Sequence, residues 1–124
     1  MAAVKAVFDT NILIDYLNGD EVAAAEIQRY SEAVISRITW LEVLVGVRES
    51  AEEAEVRAFL GAFTVHELDG PTAELAVALR RGRRLRLPDA IILATAHAQS
   101  CLLISRNTRE FRTDWPETRV PYQR

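Results

Sequence analysis

Val4-Lys5-Ala6-Val7-Phe8-Asp9-Thr10-Asn11-Ile12-Leu13-Ile14-Asp15-Tyr16-Leu17 changes its period at one residue. Val4 to Phe8 is short, β-branched and aromatic, the composition of a strand buried on both faces. From Thr10 to Leu17 the apolar residues Ile12, Leu13, Tyr16 and Leu17 fall at helical spacing. Asp9 stands at the join, where a strand's carboxyl end meets a helix N-terminus. That is the ligand-binding position of open α/β sheets. A carboxylate there is either an N-cap or a handle for a metal or phosphate.

The same alternation continues downstream. Asn18-Gly19-Asp20 is a turn, and Asp20 caps a helix predicted from Glu21 to Tyr30, with Val22, Ala25, Ile27 and Tyr30 available for packing. Ala33 to Ser36 reads as a second buried strand, followed by the apolar helix Ile38 to Val47. Glu49 to Phe63 carries Val56, Phe59, Leu60 and Phe63 on one stripe and acids on its solvated face. Thr64 to Leu68 is a third strand. Pro71 opens a helix running from Thr72 to about Leu85. A further helix starts at Leu87-Pro88-Asp89 and ends near Gln99. Cys101 to Ser105 is a fourth strand, and Asn107 to Phe111 a turn or short helix. Arg119 to Tyr122 reads as a short strand that Pro121 confines to an edge. The expectation is a single α/β domain over residues 1–124, with a central, mostly parallel sheet of four to five strands flanked by helices.

At 49% hydrophobic and 27% charged residues, the 124-residue chain is globular in composition. Its single cysteine, Cys101, rules out an intrachain disulfide and suits a reducing cytoplasm. No apolar run reaches the roughly 18 residues of a membrane span, and no basic segment precedes a long apolar one as in a signal peptide. The net charge of −3 hides an asymmetry: residues 1–79 hold five basic residues against fourteen acids, and residues 80–124 hold ten arginines against four acids. The acidic total argues against nucleic acid as a partner, and the C-terminal third argues for it.

Three acids stand out. Glu42 is the only charge in Ile38 to Val47, a helix apolar enough to be expected buried on most of its surface. A buried carboxylate must be neutralised, paired or bound to metal, so Glu42 is either a ligand or the partner of an arginine such as Arg37. Asp89 lies in the first turn of a helix, where the dipole favours an acid with or without a function. Together with Asp9 these acids fit a hard cation, Mg²⁺ or Mn²⁺, which takes oxygen ligands and suits phosphate chemistry. His97 lies eight residues beyond Asp89, about 12 Å along a helix, too far to share its ion. His66 is likewise a packing or surface residue. Trp40 and Trp115 are able to stack on bases, although Trp40 sits in an apolar helix that suggests core or dimer interface.

Four stretches taken in order resemble the PIN-domain ribonucleases, and within them the VapC-type toxins of bacterial toxin–antitoxin pairs. They are Phe8-Asp9-Thr10-Asn11 with Ile12 to Leu17; Ser36-Arg37-Ile38-Thr39-Trp40-Leu41-Glu42; Leu87-Pro88-Asp89-Ala90-Ile91-Ile92-Leu93-Ala94; and Leu103 to Phe111, containing Ser105-Arg106-Asn107. The resemblance implies that Asp9, Glu42 and Asp89 bind the metal and carry catalysis. It also implies an RNA substrate, a homodimer or larger assembly, and an antitoxin partner. Asn107 stands where many relatives carry Asp, so one well-occupied metal site is expected, with a second bound weakly or recruited by substrate phosphate. Asn11, Thr39, Arg83, Arg84 and Arg86 are the candidate substrate contacts, the arginines because Arg80 to Arg86 runs directly up to Asp89.

Two other readings compete. An aspartate-nucleophile phosphatase of the haloacid-dehalogenase type would place a second Asp two residues after Asp9, where this chain has Asn11. A catalytically weak PIN scaffold that binds RNA or protein is favoured by the loss of the acid at Asn107 and opposed by the three acids retained.

Overall fold

Lys5–Phe8 forms β1, and everything else is arranged around it. The computed structural model describes residues 4–124. In chain order α1 (Thr10–Leu17), α2 (Glu21–Gln28), β2 (Glu32–Ser36), α3 (Arg37–Val45), α4 (Ser50–Leu60), β3 (Thr64–His66), α5 (Gly70–Arg83), α6 (Leu87–Gln99), β4 (Leu102–Ile104) and β5 (Thr118–Arg119) follow. The five strands form one sheet in the order β3-β2-β1-β4-β5, and every pairing is parallel. α1 has the bounds its apolar spacing predicts.

Strand alternation divides the core in two. Ala6, Phe8, Ile35 and Ile104 face α1 to α4, where they meet Ile12, Leu13, Ala23, Val43, Val56, Leu60 and Phe63. Val7, Val34 and Leu103 face α5 and α6, against Ala76, Leu85, Ala90, Leu93 and Phe111. Phe8 is the keystone of the first layer, edge-on to Tyr30 at 5.7 Å and to Phe63 at 6.3 Å. Full burial of a side chain of this kind contributes roughly 1.5–3 kcal/mol. Helices α2, α3 and α5 start at side-chain caps: Asp20 accepts from Val22 N, Ser36 from Ile38 N and Asp69 from Thr72 N, while α4 and α6 have none. α5 stops at Arg84, whose φ of 57° is left-handed.

Three expectations change. Ile27 and Tyr30 pack against the core as expected, but α2 also buries Ala23 and Glu26, while Val22 and Ala25 are exposed. Glu26 is buried because Arg119 Nε (2.7 Å) and Tyr30 Oη (3.2 Å) donate to it. β5 is an edge strand as expected but ends at Arg119, before Pro121, which has no N–H to give the ladder. The C-terminal arginines are used internally. Arg106 grips Asp15 through Nε at 2.6 Å and Nη2 at 3.0 Å, and Arg124 binds Asp20 at 2.6 Å. With Arg119 on Glu26, three arginines of the last 19 residues fasten that segment to the acids of α1 and α2 and of the turn between them. The charge asymmetry of the sequence is partly a closure of the fold.

Candidate active site

The strand order reverses beside β1, with β2 and β3 on one side and β4 and β5 on the other. Such a switch point opens a crevice at the carboxyl ends of the strands. Asp9 is the first residue past β1 there, and its N–H extends the ladder to Ile104 O at 2.9 Å. Its Oδ1 caps α1 by accepting from Thr10 N at 2.7 Å. Oδ2 accepts from Ser105 Oγ at 2.7 Å and from Asn11 Nδ2 at 3.1 Å. Asp9 is thus a cap and also a buried carboxylate, only 4% exposed. Burial pushes its pKa up; the bonds from Ser105, Thr10 and Asn11 pull it down, and the charge of Glu42 adds to the rise.

Asp89 faces the same crevice from the first turn of α6 and is 8% exposed. Its Oδ2 is buried without a hydrogen-bond partner, and Arg86 Nε stands 4.0 Å away. The carboxyl is pushed up to about 7, first by burial, then by the charge of Asp9 and by its neighbour Glu110; Arg86 acts in the opposite direction.

Glu42 reaches the crevice from α3, but not as a buried acid. α3 buries Thr39 and Val43 and leaves Leu41, Glu42 and Val45 exposed, so the expectation of a mostly buried helix is corrected. Nor does Glu42 pair with Arg37, which instead pairs with Glu67 through Nε at 2.9 Å and lies over the Trp40 ring. Glu42 Oε1 accepts from Thr10 Oγ1 at 2.6 Å. Asp9, Thr10, Asn11, Glu42, Asp89 and Asn107, with Arg86 and Arg106 at their side, line one open cleft of about 310 Å³.

Of the candidate substrate contacts, Asn11 and Arg86 line this cleft and three others do not. Thr39 is fully buried behind Thr10, whose hydroxyl it meets at 3.1 Å, so no substrate reaches it. Arg83 is drawn off to Glu117 at 3.1 Å and lies over the Trp115 ring at 4.5 Å. Arg84 is occupied in terminating α5, and its side chain is exposed outside the cleft. The histidines are structural. His97 Nε2 bonds Glu117, and His66 bridges Thr72 and Gln99.

Sequence reasoning missed Thr10 and Arg106, which line the cleft, and Ser105 and Glu110, which hold Asp9 and the start of α6 beside it. Ser105 is the first residue past β4, as Asp9 is past β1, and only the pairing of those two strands brings them together. Its hydroxyl also accepts from Asn107 N at 3.0 Å. Glu110 Oε1 accepts from Arg86 N at 2.9 Å, fixing the start of α6 from outside.

A family model described as PIN domain matches residues 6–115. The chain belongs to the PIN domain family. This PIN domain is similar to a toxin–antitoxin complex structure from Klebsiella pneumoniae at 42% identity and TM-score 0.90, over 96% of this chain and 99% of that one. It shares the fold of a DNA-bound VapBC from Salmonella typhimurium (24% identity, TM-score 0.76, covering 94% and 96% of the two chains). The same holds for FitAcB from Neisseria gonorrhoeae (21% identity, TM-score 0.77, covering 94% and 97%). No curated protein matches the chain.

Among the described residues of the PIN domain, no three His, Cys, Asp or Glu side chains are gathered tightly enough to cage an ion. The three expected acids line one cleft without converging, because Glu42 is tied to Thr10 and Asp9 to Ser105. The donor set nevertheless fits Mg²⁺ or Mn²⁺. Mg²⁺ takes one or two carboxylates, keeps several waters and completes its shell with substrate phosphate. The unpartnered Oδ2 of Asp89, and the mutual repulsion of Asp89 and Asp9, are what such a cation relieves.

Proposed function

We propose that this PIN domain is a metal-dependent endoribonuclease, the toxin of a type II toxin–antitoxin pair acting in the cytoplasm. One observation carries the reading: Asp9 and Asp89, two buried carboxylates, line one cleft at the sheet's switch point, and Asp89 Oδ2 has no hydrogen-bond partner there. Asp9 and Asp89 would hold Mg²⁺ or Mn²⁺, with Glu42 across the cleft and Asn107 as a neutral oxygen donor. When bound, the cation polarises the scissile phosphate and lowers the pKa of an attacking water. The chain's own residues set the geometry for this. Ser105 and Asn11 fix the orientation of Asp9, Thr10 fixes Glu42, and Glu110 fixes the backbone from which Arg86 reaches the cleft. Arg86 offers charge-assisted hydrogen bonds to phosphate oxygens. The rival phosphatase reading finds no support here, since the side chain two residues after Asp9 is an amide that bonds Asp9 itself.

The 42%-identical toxin–antitoxin structure supports the partner assignment. So does a groove between α1, α3 and α4, lined by Ile14, Leu17, Val43, Val47, Val56 and Phe59 with Glu52 and Glu55 also in its wall. An antitoxin segment with apolar anchors and basic residues suits it, and an arginine from that segment would satisfy the charges of Asp9, Glu42 and Asp89 in place of metal. Exposed Leu75 and Val77 on α5 and Leu87 at the start of α6 supply apolar surface for a homodimer, the unit of a larger toxin–antitoxin assembly.

The test is purified protein on mixed cellular RNA. Cleavage is expected with Mg²⁺ or Mn²⁺, none with chelator, and none by Asp9→Asn, which keeps shape and removes charge. Cleavage by Asp9→Asn equal to the parent's would sink the assignment. Asn107→Asp adds one negative charge to the same cleft. It is expected to lower the metal concentration for half-maximal cleavage and to cost the metal-free protein some stability, both read by titration and thermal melting. If neither moves, Asn107 is outside the site.

A further inference from the structure

The ten arginines of residues 80–124 divide by what they touch. Arg83, Arg86, Arg106, Arg112, Arg119 and Arg124 each stand within 4.0 Å of a carboxylate. Arg80, Arg81, Arg84 and Arg109 have no such partner among the described residues. Of these four, Arg109 lines a cleft beside the acid-lined one.

That cleft, of about 330 Å³, adjoins the acid-lined one and shares Asn11, Arg106 and Asn107 with it as a common wall. Its other charged side chains are Arg109 and Arg124, the latter held by Asp20, and no Asp or Glu side chain lines it. The two clefts are therefore neighbours of opposite character. Arg106 is held rigid in the wall by its two bonds to Asp15, which also accepts from Tyr122 Oη at 2.8 Å. Its Nη1 is not used by Asp15. Arg109 follows three residues later in the turn after β4 and is exposed and uncommitted.

A nucleic-acid strand laid across an acidic centre is repelled at every phosphate except the one the metal holds, and cations beside the centre must carry the next. We propose that the Arg106–Arg109–Arg124 cleft is a phosphate subsite for the RNA strand, taking the phosphate that flanks the scissile one. This rests on the ribonuclease reading above. Arg106 is the fixed donor and Arg109 the free charge. The shared wall of Asn11 and Asn107 keeps the strand continuous from one cleft to the other. Arg86 alone of the run Arg80 to Arg86 lines the acid-lined cleft, and the flanking phosphate falls to residues beyond β4.

The experiment uses the full chain and a single-stranded oligoribonucleotide containing one mapped cleavage position. Arg109→Ala is expected to raise KM roughly 3–10-fold with kcat unchanged. The slope of log binding constant against log salt, measured on the Asp89→Asn background, should fall by about 0.7. Arg81→Ala, on the exposed face of α5 outside both clefts, should match the parent. A neutral methylphosphonate at the flanking position should weaken binding by the parent but not by Arg109→Ala. A parent that cuts RNA while Arg109→Ala keeps the same KM and slope overturns the subsite alone. A parent that cuts no RNA overturns both readings. Poly-glutamate competing as well as RNA of equal charge also overturns the subsite, because the cleft would then select charge and not a strand.

Discussion

Asp89→Asn is expected to abolish cleavage and, in the same protein, to raise its melting temperature when metal is withheld at pH 8. The activity loss should be on the order of 10³-fold, the scale for removing one group that stabilises developing charge in a closed site. The gain in stability follows from the pKa of Asp89, pushed up to about 7, against roughly 3.9 in an unfolded chain. An acid whose native pKa is raised binds its proton more tightly folded than unfolded. Stability of the metal-free parent should therefore fall as pH rises from about 4 toward 7, and the cost is fully present above that. Asn carries no charge to repel Asp9, so the variant should show a flatter curve over that window. Added Mg²⁺ should stabilise the parent and leave the variant little changed. Melting curves in chelator at several pH values check the sign. A variant less stable than the parent at pH 8 would mean that Asp89 is a structural residue.

Asp15→Ala is expected to cause the largest loss of stability. Asp15 is 9% exposed and accepts from Arg106 twice and from Tyr122. Removing it leaves a half-buried guanidinium and a phenol without their acceptor. Breaking such a pair costs about 3 kcal/mol, or roughly 10 °C in Tm for a chain of this length. Tyr122→Phe, which removes one hydrogen bond and leaves the ion pair, should cost about 1 kcal/mol. The Arg106 guanidinium also holds the Asp15 carboxyl below the usual range. A depressed acid contributes stability that is present above its unfolded pKa and is lost as pH falls through the folded one. The parent should thus lose this contribution under acid, while Asp15→Ala has none to lose.

Much of this molecule is legible in the sequence where the signal is local. The period change at Asp9 marks β1 and α1, and Asp89 follows Pro88 into a helix whose apolar run announces its burial. That Asn107 follows a strand is legible in the apolar run before it, though which strand lies beside that one is not. The rest is tertiary. Glu42 lies in the cleft on a helix whose apolar run is not buried: Leu41 and Val45 are 48% and 83% exposed, and an apolar residue facing outward is indistinguishable in sequence from one in the core. Thr39 was a plausible contact until Thr10 was found in front of it. Arg83 stands six residues from Asp89, but helical geometry turns it toward Glu117 and Trp115. Ser105 carries no sequence mark at all, since its role depends on which strand lies beside β1.

The seam between β1 and β4 also times the appearance of the site. Asp9 and Ser105, whose bond crosses that seam, are 96 positions apart in the chain. A ribosome adding about 5–20 residues per second takes roughly 5–20 s to cover that distance. During that interval the nascent chain acquires Glu42 and then Asp89 but has nothing to place against the open edge of β1. Pairing across so long a loop is also the slow kind of contact to form. The hydrogen bond that orients Asp9 therefore comes only with the fourth strand, late in synthesis.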